Sequence, residues 1–273
     1  MPQSDVPPKG NSTGTHRSGA TTATSLKGGA VAVSPSPTFS PLYRQIKSLL
    51  LQRLESGEWR PGEAIPSESE LAIRFNVSQG TVRKAIDEMA AENLLLRRQG
   101  KGTFVASHDD PRAFFRFLRL VPLAGGIEQA QSVPLECWRA KAGPEVARML
   151  ELNIGDSINI VRRLLKFSGK PVVVDEIYLP GSIFGTVTLD MLRDYQGSLY
   201  SFFENQFGVR MIRAEERLRA VPADRSSAEL LNVPEGSPLL SVERVSFSYA
   251  DKPVEWRRGL YATSEHCYFN ELG

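Results

Sequence analysis

Cysteine and long apolar runs are scarce in this 273-residue sequence, and each scarcity excludes a class of protein. The two cysteines, Cys137 and Cys267, cannot form a disulfide framework or a four-cysteine metal site, and such low usage is typical of a reducing compartment. No apolar run approaches the roughly 20 residues that span a bilayer. The sequence therefore predicts a cytoplasmic protein without a membrane-spanning segment.

Catalytic and metal-binding motifs are also missing. The segment Gly100-Lys101-Gly102-Thr103 lacks the upstream glycine of a phosphate-binding P-loop, and no Gly-x-Ser-x-Gly stretch occurs. The histidines lie far apart, at His16, His108 and His266, without the spacing of a zinc site. We therefore predict no catalytic residue, no metal site and no cofactor.

Length and composition divide the chain into segments. At roughly 100–200 residues per domain, its length suggests two domains. Residues 1–40 are rich in Ser, Thr, Gly and Pro, cannot bury enough apolar surface to fold, and are predicted to form a disordered tail. We expect one domain over 41–105, a linker over 106–112 that leaves the domains free to reorient, and a second domain over 113–273. The first strand of the second domain is expected at 113–121.

Helical spacing begins at Pro41. Apolar residues that recur at i+3 and i+4 up to Gly57 predict a first helix with a buried face of Leu42, Ile46, Leu49, Leu50 and Leu54. Ser67 and Glu70 form the S-x-x-E pattern of a capping box, which predicts a second helix that buries Leu71, Ala72 and Phe75.

Ser78 is a further N-cap candidate, and the helix that it opens would bury Val82, Ala85, Ile86 and Met89. Two short apolar runs at 94–96 and 103–105 flank a basic loop with Gly100 and Gly102, which predicts a β-hairpin. Three helices and a basic hairpin are typical of a winged helix-turn-helix, whose third helix enters the major groove of DNA. The same elements also fit other small α+β domains.

The second half of the sequence contains an internal repeat. Arg163 and Arg244 each follow eight residues after a glycine, Gly155 or Gly236, and the copies are 81 residues apart. Each copy predicts a helix followed by a hairpin, with turns at Ser168-Gly169-Lys170 and Ala250-Asp251-Lys252. We expect both copies to share one antiparallel sheet with helices on one face.

An ordered series of motifs covers residues 41–107: Pro41-Leu42-Tyr43-Arg44-Gln45-Ile46, Pro61-Gly62-Glu63, Ile65-Pro66-Ser67-Glu68, Val77-Ser78, Thr81-Val82-Arg83 and Gly100-Lys101-Gly102-Thr103-Phe104-Val105. This segment resembles the DNA-binding domain of the GntR family of bacterial transcription regulators. The resemblance implies a double-stranded DNA operator, contacted by Ser67, Ser78, Gln79, Gly80, Thr81, Arg83, Lys84, Arg98, Lys101 and Gly102. Gln79 stands where the family usually has arginine, and because glutamine suits adenine whereas arginine suits guanine, we expect a different operator.

A looser set of motifs lies between about residues 113 and 270: Arg163, Asp175, Tyr178-Leu179-Pro180, Gly197-Ser198-Leu199-Tyr200 and Pro253-Val254-Glu255. This region resembles the UTRA effector-binding domain of the HutC subgroup, whose fold is like that of chorismate lyase. The resemblance implies a metabolite pocket lined by Arg163, Asp175, Ser198, Tyr200 and Glu255. Sugar-phosphate-binding relatives carry a second arginine where this chain has Leu165, so an organic acid or an amino-acid-like ligand fits at least as well as a sugar phosphate. Arg163 and Asp175 could instead form a structural ion pair.

The expected fold is α+β, with an N-terminal winged helix-turn-helix and a C-terminal chorismate-lyase-like antiparallel sheet with helices. The expected function is a ligand-responsive transcription regulator, a repressor released by a small anionic metabolite. We expect a homodimer because one winged helix covers a single operator half-site, with the uncovered sheet face as the platform. An enzyme on the same fold, identified by ligand turnover, and a DNA-binding dimer without effector remain alternatives.

Overall fold

Three helices and a two-stranded hairpin form the N-terminal part of the chain. The computed structural model describes residues 40–109, 117–126 and 128–270, so the predicted tail lies outside the described residues except for Ser40. Helices α1 (Leu42–Glu55), α2 (Glu68–Phe75) and α3 (Gln79–Ala91) precede the antiparallel strands β1 (Leu95–Arg98) and β2 (Gly102–Val105). The order is the predicted winged helix-turn-helix, and we call residues 42–105 the winged-helix part.

The predicted N-caps fix where α2 and α3 begin. The Ser67 hydroxyl accepts the Glu70 backbone N–H at 3.3 Å, and the Glu70 carboxylate accepts the Ser67 backbone N–H at 2.8 Å. The Ser78 hydroxyl accepts the Thr81 backbone N–H at 3.2 Å. A cap of this kind stabilises a helix by about 1 kcal/mol, because the first N–H groups of a helix have no partner within it. Both predicted caps are confirmed.

The core of the winged-helix part follows the predicted pattern with two exceptions. It contains the predicted inner face of α3 and three leucine or isoleucine side chains of α1, namely Ile46, Leu50 and Leu54. Leu42 and Leu49, which were predicted on the same face, are 50% and 40% exposed. Leu49 lies about 100° around the helix from Leu50, and Leu42 lies in the first turn.

The second half of the described chain contains five further α-helices and eight further strands. The helices are α4 (Pro144–Leu150), α5 (Gly181–Phe184), α6 (Leu189–Asp194), α7 (Leu199–Phe207) and α8 (Arg225–Leu231). The strands of its main sheet are β4 (Ala130–Lys141), β5 (Ser157–Phe167), β6 (Lys170–Pro180), β7 (Arg213–Pro222), β8 (Pro238–Phe247) and β9 (Pro253–Ala262). Two short strands, β3 (Leu120–Pro122) and β10 (His266–Tyr268), pair separately. The first strand predicted at 113–121 therefore begins later, at Leu120, and residues 113–116 lie outside the described chain.

The main sheet confirms the internal repeat. Its antiparallel order is β4-β5-β6-β9-β8-β7, so the unit β4-α4-β5-β6 meets the unit β7-α8-β8-β9 at the central β6–β9 pair. The Gly155 N–H donates to the Ala142 carbonyl at 2.8 Å, and the Gly236 N–H donates to the Ala223 carbonyl at 2.8 Å. Both glycines have positive φ, +90° and +82°, which explains why glycine recurs at this turn.

Helices cover both faces of this sheet. Ile160 of β5 packs in the cluster of α4, whereas the next residue, Val161, packs with Phe184 of α5 and Phe203 of α7. Successive strand residues point to opposite faces. The expectation of helices on one face was therefore wrong, because the segment between the two repeat units folds onto the other face. The argument that an open face provides the dimer platform does not hold for the described sheet.

A row of alternating charges crosses the sheet face that carries α4. The residues paired in register from one edge strand to the other are Glu136, Arg162, Glu176, Arg258, Glu243 and Arg217. Arg162 forms ion pairs with Glu136 at 3.0 Å and with Glu176 at 2.9 Å. Opposite charges on neighbouring strands stabilise a sheet by roughly 0.2–1 kcal/mol a pair, so this row supports the register.

The expected free linker is packed along its described length. The Ala106 N–H donates to the Leu94 carbonyl at 3.1 Å, and His108 is buried. Asp109 accepts a hydrogen bond from Asn205 of α7 at 3.2 Å. Ser107 and Asp109, polar residues of the expected linker, instead find partners on α7. Within the described residues, no helix is long and apolar enough to cross a membrane, and no cluster of side chains could hold a metal ion.

Gly259 of β9 offers a test of packing at the centre of the sheet. It lies opposite Asp175 of β6, and a Cβ at this position would collide with the Tyr261 ring and stand 2.8 Å from Asp175 Oδ1. We expect Gly259→Ala to lower the free energy of unfolding by about 1–3 kcal/mol, the usual cost of overpacking, as measured by urea denaturation. The control is Gly80→Ala on α3, where the nearest atom is 3.9 Å away and the helical position favours alanine. Equal stability of the two variants would contradict this packing.

Candidate functional site

The exposed side of α3 and the tip of the hairpin carry the residues predicted to contact DNA. Gln79, Gly80, Arg83 and Lys84 are exposed along α3, and Thr81 is half-buried in its first turn. In the hairpin, exposed positions are Arg98, Lys101 and Gly102, with positive φ at Gly100 (+69°) and Gly102 (+108°). Ser67 and Ser78 are exposed too, and their hydroxyls serve as the caps of α2 and α3.

Glu68 joins these two elements, and the sequence reasoning missed this role. Its carboxylate accepts hydrogen bonds from Arg83 Nε at 2.9 Å, from Gln79 Nε2 at 3.4 Å and from Arg97 Nη2 at 2.9 Å. Burial would raise the pKa of Glu68, but the hydrogen bonds from Arg97 and Arg83 outweigh burial and lower it. Glu68 therefore stays charged and holds the side chains of α3 and β1 together.

Two aromatic rings support further cations on the same surface. The Lys84 ammonium lies 4.1 Å from the centre of the Tyr43 ring, and the Arg98 guanidinium lies 4.6 Å from that of Phe104. Such cation–π contacts contribute about 0.5–1 kcal/mol at exposed sites and restrict where the charge lies. The surface thus presents positive charges at defined positions on a helix end and on a hairpin.

A second candidate site lies on the sheet face covered by α5, α6 and α7. Asp175 of β6 is fully buried, and its Oδ2 accepts Arg163 Nε at 3.0 Å and Nη2 at 2.9 Å. The same oxygen accepts Arg257 Nη1 at 3.3 Å. Arg163 comes from β5 and Arg257 from β9, so the carboxylate lies between guanidinium groups of its two neighbouring strands.

The ion pairs continue from Arg257 to the helix side of the cluster. Arg257 Nε donates to Glu255 Oε1 at 2.9 Å, and the Tyr200 hydroxyl of α7 donates to the same oxygen at 3.1 Å. The Tyr200 hydroxyl also lies 3.0 Å from the Ser246 hydroxyl and accepts Arg244 Nη1 at 3.3 Å. We call the following residues the polar cluster: Arg163, Asp175, Tyr200, Arg244, Ser246, Glu255 and Arg257.

The polar cluster joins four of the five residues predicted for the pocket, namely Arg163, Asp175, Tyr200 and Glu255. Ser198 lies apart in its hydrogen bonding, because its hydroxyl caps α7 by accepting the Ser201 backbone N–H at 3.0 Å. Sequence reasoning missed Arg257 and Ser246, although strand alternation places Arg257 on the same face as Glu255, and Ser246 on the same face as Arg244. The internal repeat already signalled Arg244 as the equivalent of Arg163.

Burial sets the protonation behaviour of the polar cluster. Burial, followed by the neighbouring charge of Glu255, raises the pKa of Tyr200, so its hydroxyl remains protonated and can donate. Burial, followed by the charge of Arg257, lowers the pKa of Arg163. Asp175 Oδ1 is buried and accepts no hydrogen bond from the described residues. A buried acceptor without a donor costs about 1–3 kcal/mol, which a donor on a bound molecule would recover.

Each half of the chain matches a known protein family. Residues 42–105 match the family model described as bacterial regulatory proteins, gntR family, and residues 128–266 match the UTRA domain. The ligand-binding domain of a protein described as a GntR-family transcriptional regulator from Bordetella bronchiseptica is similar in structure. It has 46% sequence identity and a TM-score of 0.57, and the match covers 58% of this chain and 98% of that one.

Two curated relatives are similar over most of the chain. A protein of Escherichia coli K12 named as a probable fructoselysine utilization operon transcriptional repressor is 29% identical over 218 residues, which cover 78% of this chain and 87% of the relative. The histidine utilization repressor of Pseudomonas putida is 28% identical over 229 residues, which cover 83% and 90%. These names describe regulators of transcription, not enzymes, as the sequence predicted. The chain belongs to the GntR family of bacterial regulatory proteins and carries a UTRA domain.

Proposed function

We propose that the chain is a cytoplasmic, ligand-responsive repressor of the HutC subgroup. It binds operator DNA through α3 and the hairpin, and a small effector in the polar cluster releases it. The observation that carries the proposal is the joining, in one chain, of a GntR DNA-binding module to a UTRA domain with a desolvated set of hydrogen-bonding charges. We assign the DNA-binding domain to 41–105, the linker to 106–112 and the effector domain to 113–273.

The DNA contacts divide by chemistry. Lys84 and Arg98 carry ring-supported charges and Lys101 an exposed charge. Such charges suit phosphates, which position a protein on the duplex. Gln79 at the start of α3 reaches base edges, and its amide suits adenine. Arg83 can contact either phosphates or bases, because Glu68 holds its Nε while the remaining guanidinium N–H groups are available. Specificity at useful levels needs two half-sites, so the acting species is a homodimer.

The polar cluster favours an amino-acid-like effector over a sugar phosphate. Guanidinium groups of Arg163 and Arg257 match a carboxylate, and the carboxylates of Asp175 and Glu255 match an ammonium group. The bare Asp175 Oδ1 adds an acceptor for such an N–H donor. Leu165, two residues after Arg163, is buried and apolar, so it offers no second charge to a phosphate dianion. Ser198 stays a predicted contact at the start of α7.

The direct test is a selection from random DNA with the full chain, followed by thermal unfolding with a panel of amino acids, organic acids and sugar phosphates. We expect an enriched palindromic sequence and a rise in Tm with amino-acid-like compounds, since a ligand that binds the folded state stabilises it. A compound that raises Tm should weaken operator binding. Failure to enrich any sequence would overturn the proposal, and turnover of a stabilising compound would favour the enzyme alternative.

Lys101 tests the hairpin contact. We expect Lys101→Ala to weaken binding to all DNA sequences similarly and to reduce the slope of log K against log salt by about one, because one fewer phosphate is neutralised. Lys252→Ala removes the same charge from an exposed turn of the effector domain and should leave the slope unchanged. An unchanged slope for Lys101→Ala, measured by fluorescence anisotropy over a salt series, would remove the hairpin from the interface.

Arg163 tests the effector site. Arg163→Ala would leave Asp175 poorly paired, and breaking a buried ion pair costs roughly 3–5 kcal/mol, so Arg163→Lys is the better probe. We expect Arg163→Lys to keep operator affinity within about threefold of the wild type but to lose the Tm rise with the stabilising compound, because lysine lacks the planar fork. Arg162→Lys, the same change on the opposite sheet face, is the control. A full Tm rise in Arg163→Lys would place the effector elsewhere.

A further inference from the structure

Helix α7 carries side chains that contact both the polar cluster and the linker. Tyr200, in its first turn, makes the hydrogen bonds to Glu255 and Ser246 described above. Glu204 follows one turn later on the same side of the helix, since residues four apart are neighbours on a helix surface. Both side chains are buried, and Glu204 points toward the linker rather than the sheet.

Glu204 fixes the start of the linker. Its carboxylate accepts the Ser107 hydroxyl and, at 3.2 Å, the His108 backbone N–H. The His108 ring lies 5.4 Å from the Tyr200 ring, centre to centre, and His108 Nε2 accepts the Met211 N–H at 3.2 Å. The linker therefore contacts the cluster tyrosine directly, and it is also held by Glu204 of α7 and by the Met211 backbone beyond the helix.

Arg210, just after α7, reaches across to the turn that follows α3, the proposed recognition helix. Its guanidinium donates to the Asn93 carbonyl at 2.8 Å and to the Leu94 carbonyl at 3.2 Å, immediately beyond the end of α3. Asn93 and Leu94 form the turn between α3 and β1, so Arg210 holds the backbone that directly follows α3. Arg210 is 3% exposed, and its Nε lies 3.8 Å from Glu204 Oε2. The pair thus joins the C-terminal end of α3 to the linker contact.

Apolar contacts reinforce the same junction. Ile212, two residues beyond Arg210, and Tyr249 pack against the core of the winged-helix part. The Tyr249 hydroxyl also lies 3.4 Å from Arg210 Nη1. A small movement of α7 would therefore be passed to α3 through a packed, desolvated contact instead of a solvated tether.

We propose that Arg210 is a positioning residue for the recognition helix, and that α7 transmits the arrangement of the polar cluster to α3 through Glu204, the linker and Arg210. This inference rests on the proposed function, because it assigns the regulatory path of the same effector site. A ligand that displaces the Tyr200 hydroxyl from Glu255 would shift α7, and α3 would follow. The coupling is reciprocal, so operator binding would also bias the polar cluster.

A double-mutant cycle on operator affinity tests the path without a known effector. Tyr200→Phe removes the hydroxyl contacts in the polar cluster, and Arg210→Met removes the guanidinium but keeps an unbranched apolar stem. Operator affinities are measured for the wild type, both single variants and the double variant, with the operator recovered by selection. We expect the effect of Tyr200→Phe on operator affinity to change by threefold or more when Arg210 is replaced. If the two sites were independent, Tyr200→Phe would have the same effect in both backgrounds.

Two further variants separate positioning from general destabilisation. The same cycle with Arg219→Met, an exposed arginine of β7, should be additive. Arg210→Lys keeps a buried cation and a donor, so the effect of Tyr200→Phe on operator affinity should lie between its values in the wild type and in Arg210→Met, and this variant serves as the probe if Arg210→Met folds poorly. Additivity within threefold in both Arg210 cycles, with normal operator binding by the wild type, would overturn the path but leave the proposed function intact. Absence of operator binding by the wild type would overturn both.

Discussion

Charges removed from water on one face of the central sheet govern the organisation of the effector half. Asp175 is fully buried and lies between Arg163 and Arg257, so each of these residues requires the others. An unpaired ion in that position would cost several kcal/mol, whereas the paired set is tolerated. Packing around the carboxylate leaves no room for a Cβ at Gly259, and every residue of the polar cluster is buried.

Under the proposed function, the same desolvation suits the cluster to act as a switch. Hydrogen bonds among buried charges are directional and costly to break without replacement, so the cluster favours a small number of discrete arrangements. A ligand with matching charges exchanges these contacts for its own and selects a different arrangement. Tyr200 belongs to both the cluster and α7, so such an exchange would move α7. Helix α7 contacts the linker, and Arg210, just after it, contacts the turn at the end of α3.

Local sequence signals predicted the parts of the fold that depend on nearby residues. The caps at Ser67 and Ser78 and the buried face of α3 follow from spacing within one helix turn or two. The repeat of Arg163 and Arg244 predicted two helix–hairpin units, and strand alternation brought four predicted pocket residues together. Sequence spacing could not predict contacts between distant segments. Glu68 meets Arg97, and Arg210 meets Asn93, only because the folded chain brings them together, and nothing near 181–207 indicated that it would cover the second sheet face.

Hydrogen–deuterium exchange of the full chain, with and without its selected operator, tests the central claim that the DNA surface and the polar cluster are physically coupled. The account predicts slower exchange in peptides from α3 and the hairpin and also in peptides covering 106–109 and 199–207, while α8 stays unchanged as an internal control. Protection confined to residues 42–105 would contradict the account, because operator binding would then leave the linker and α7 unaffected.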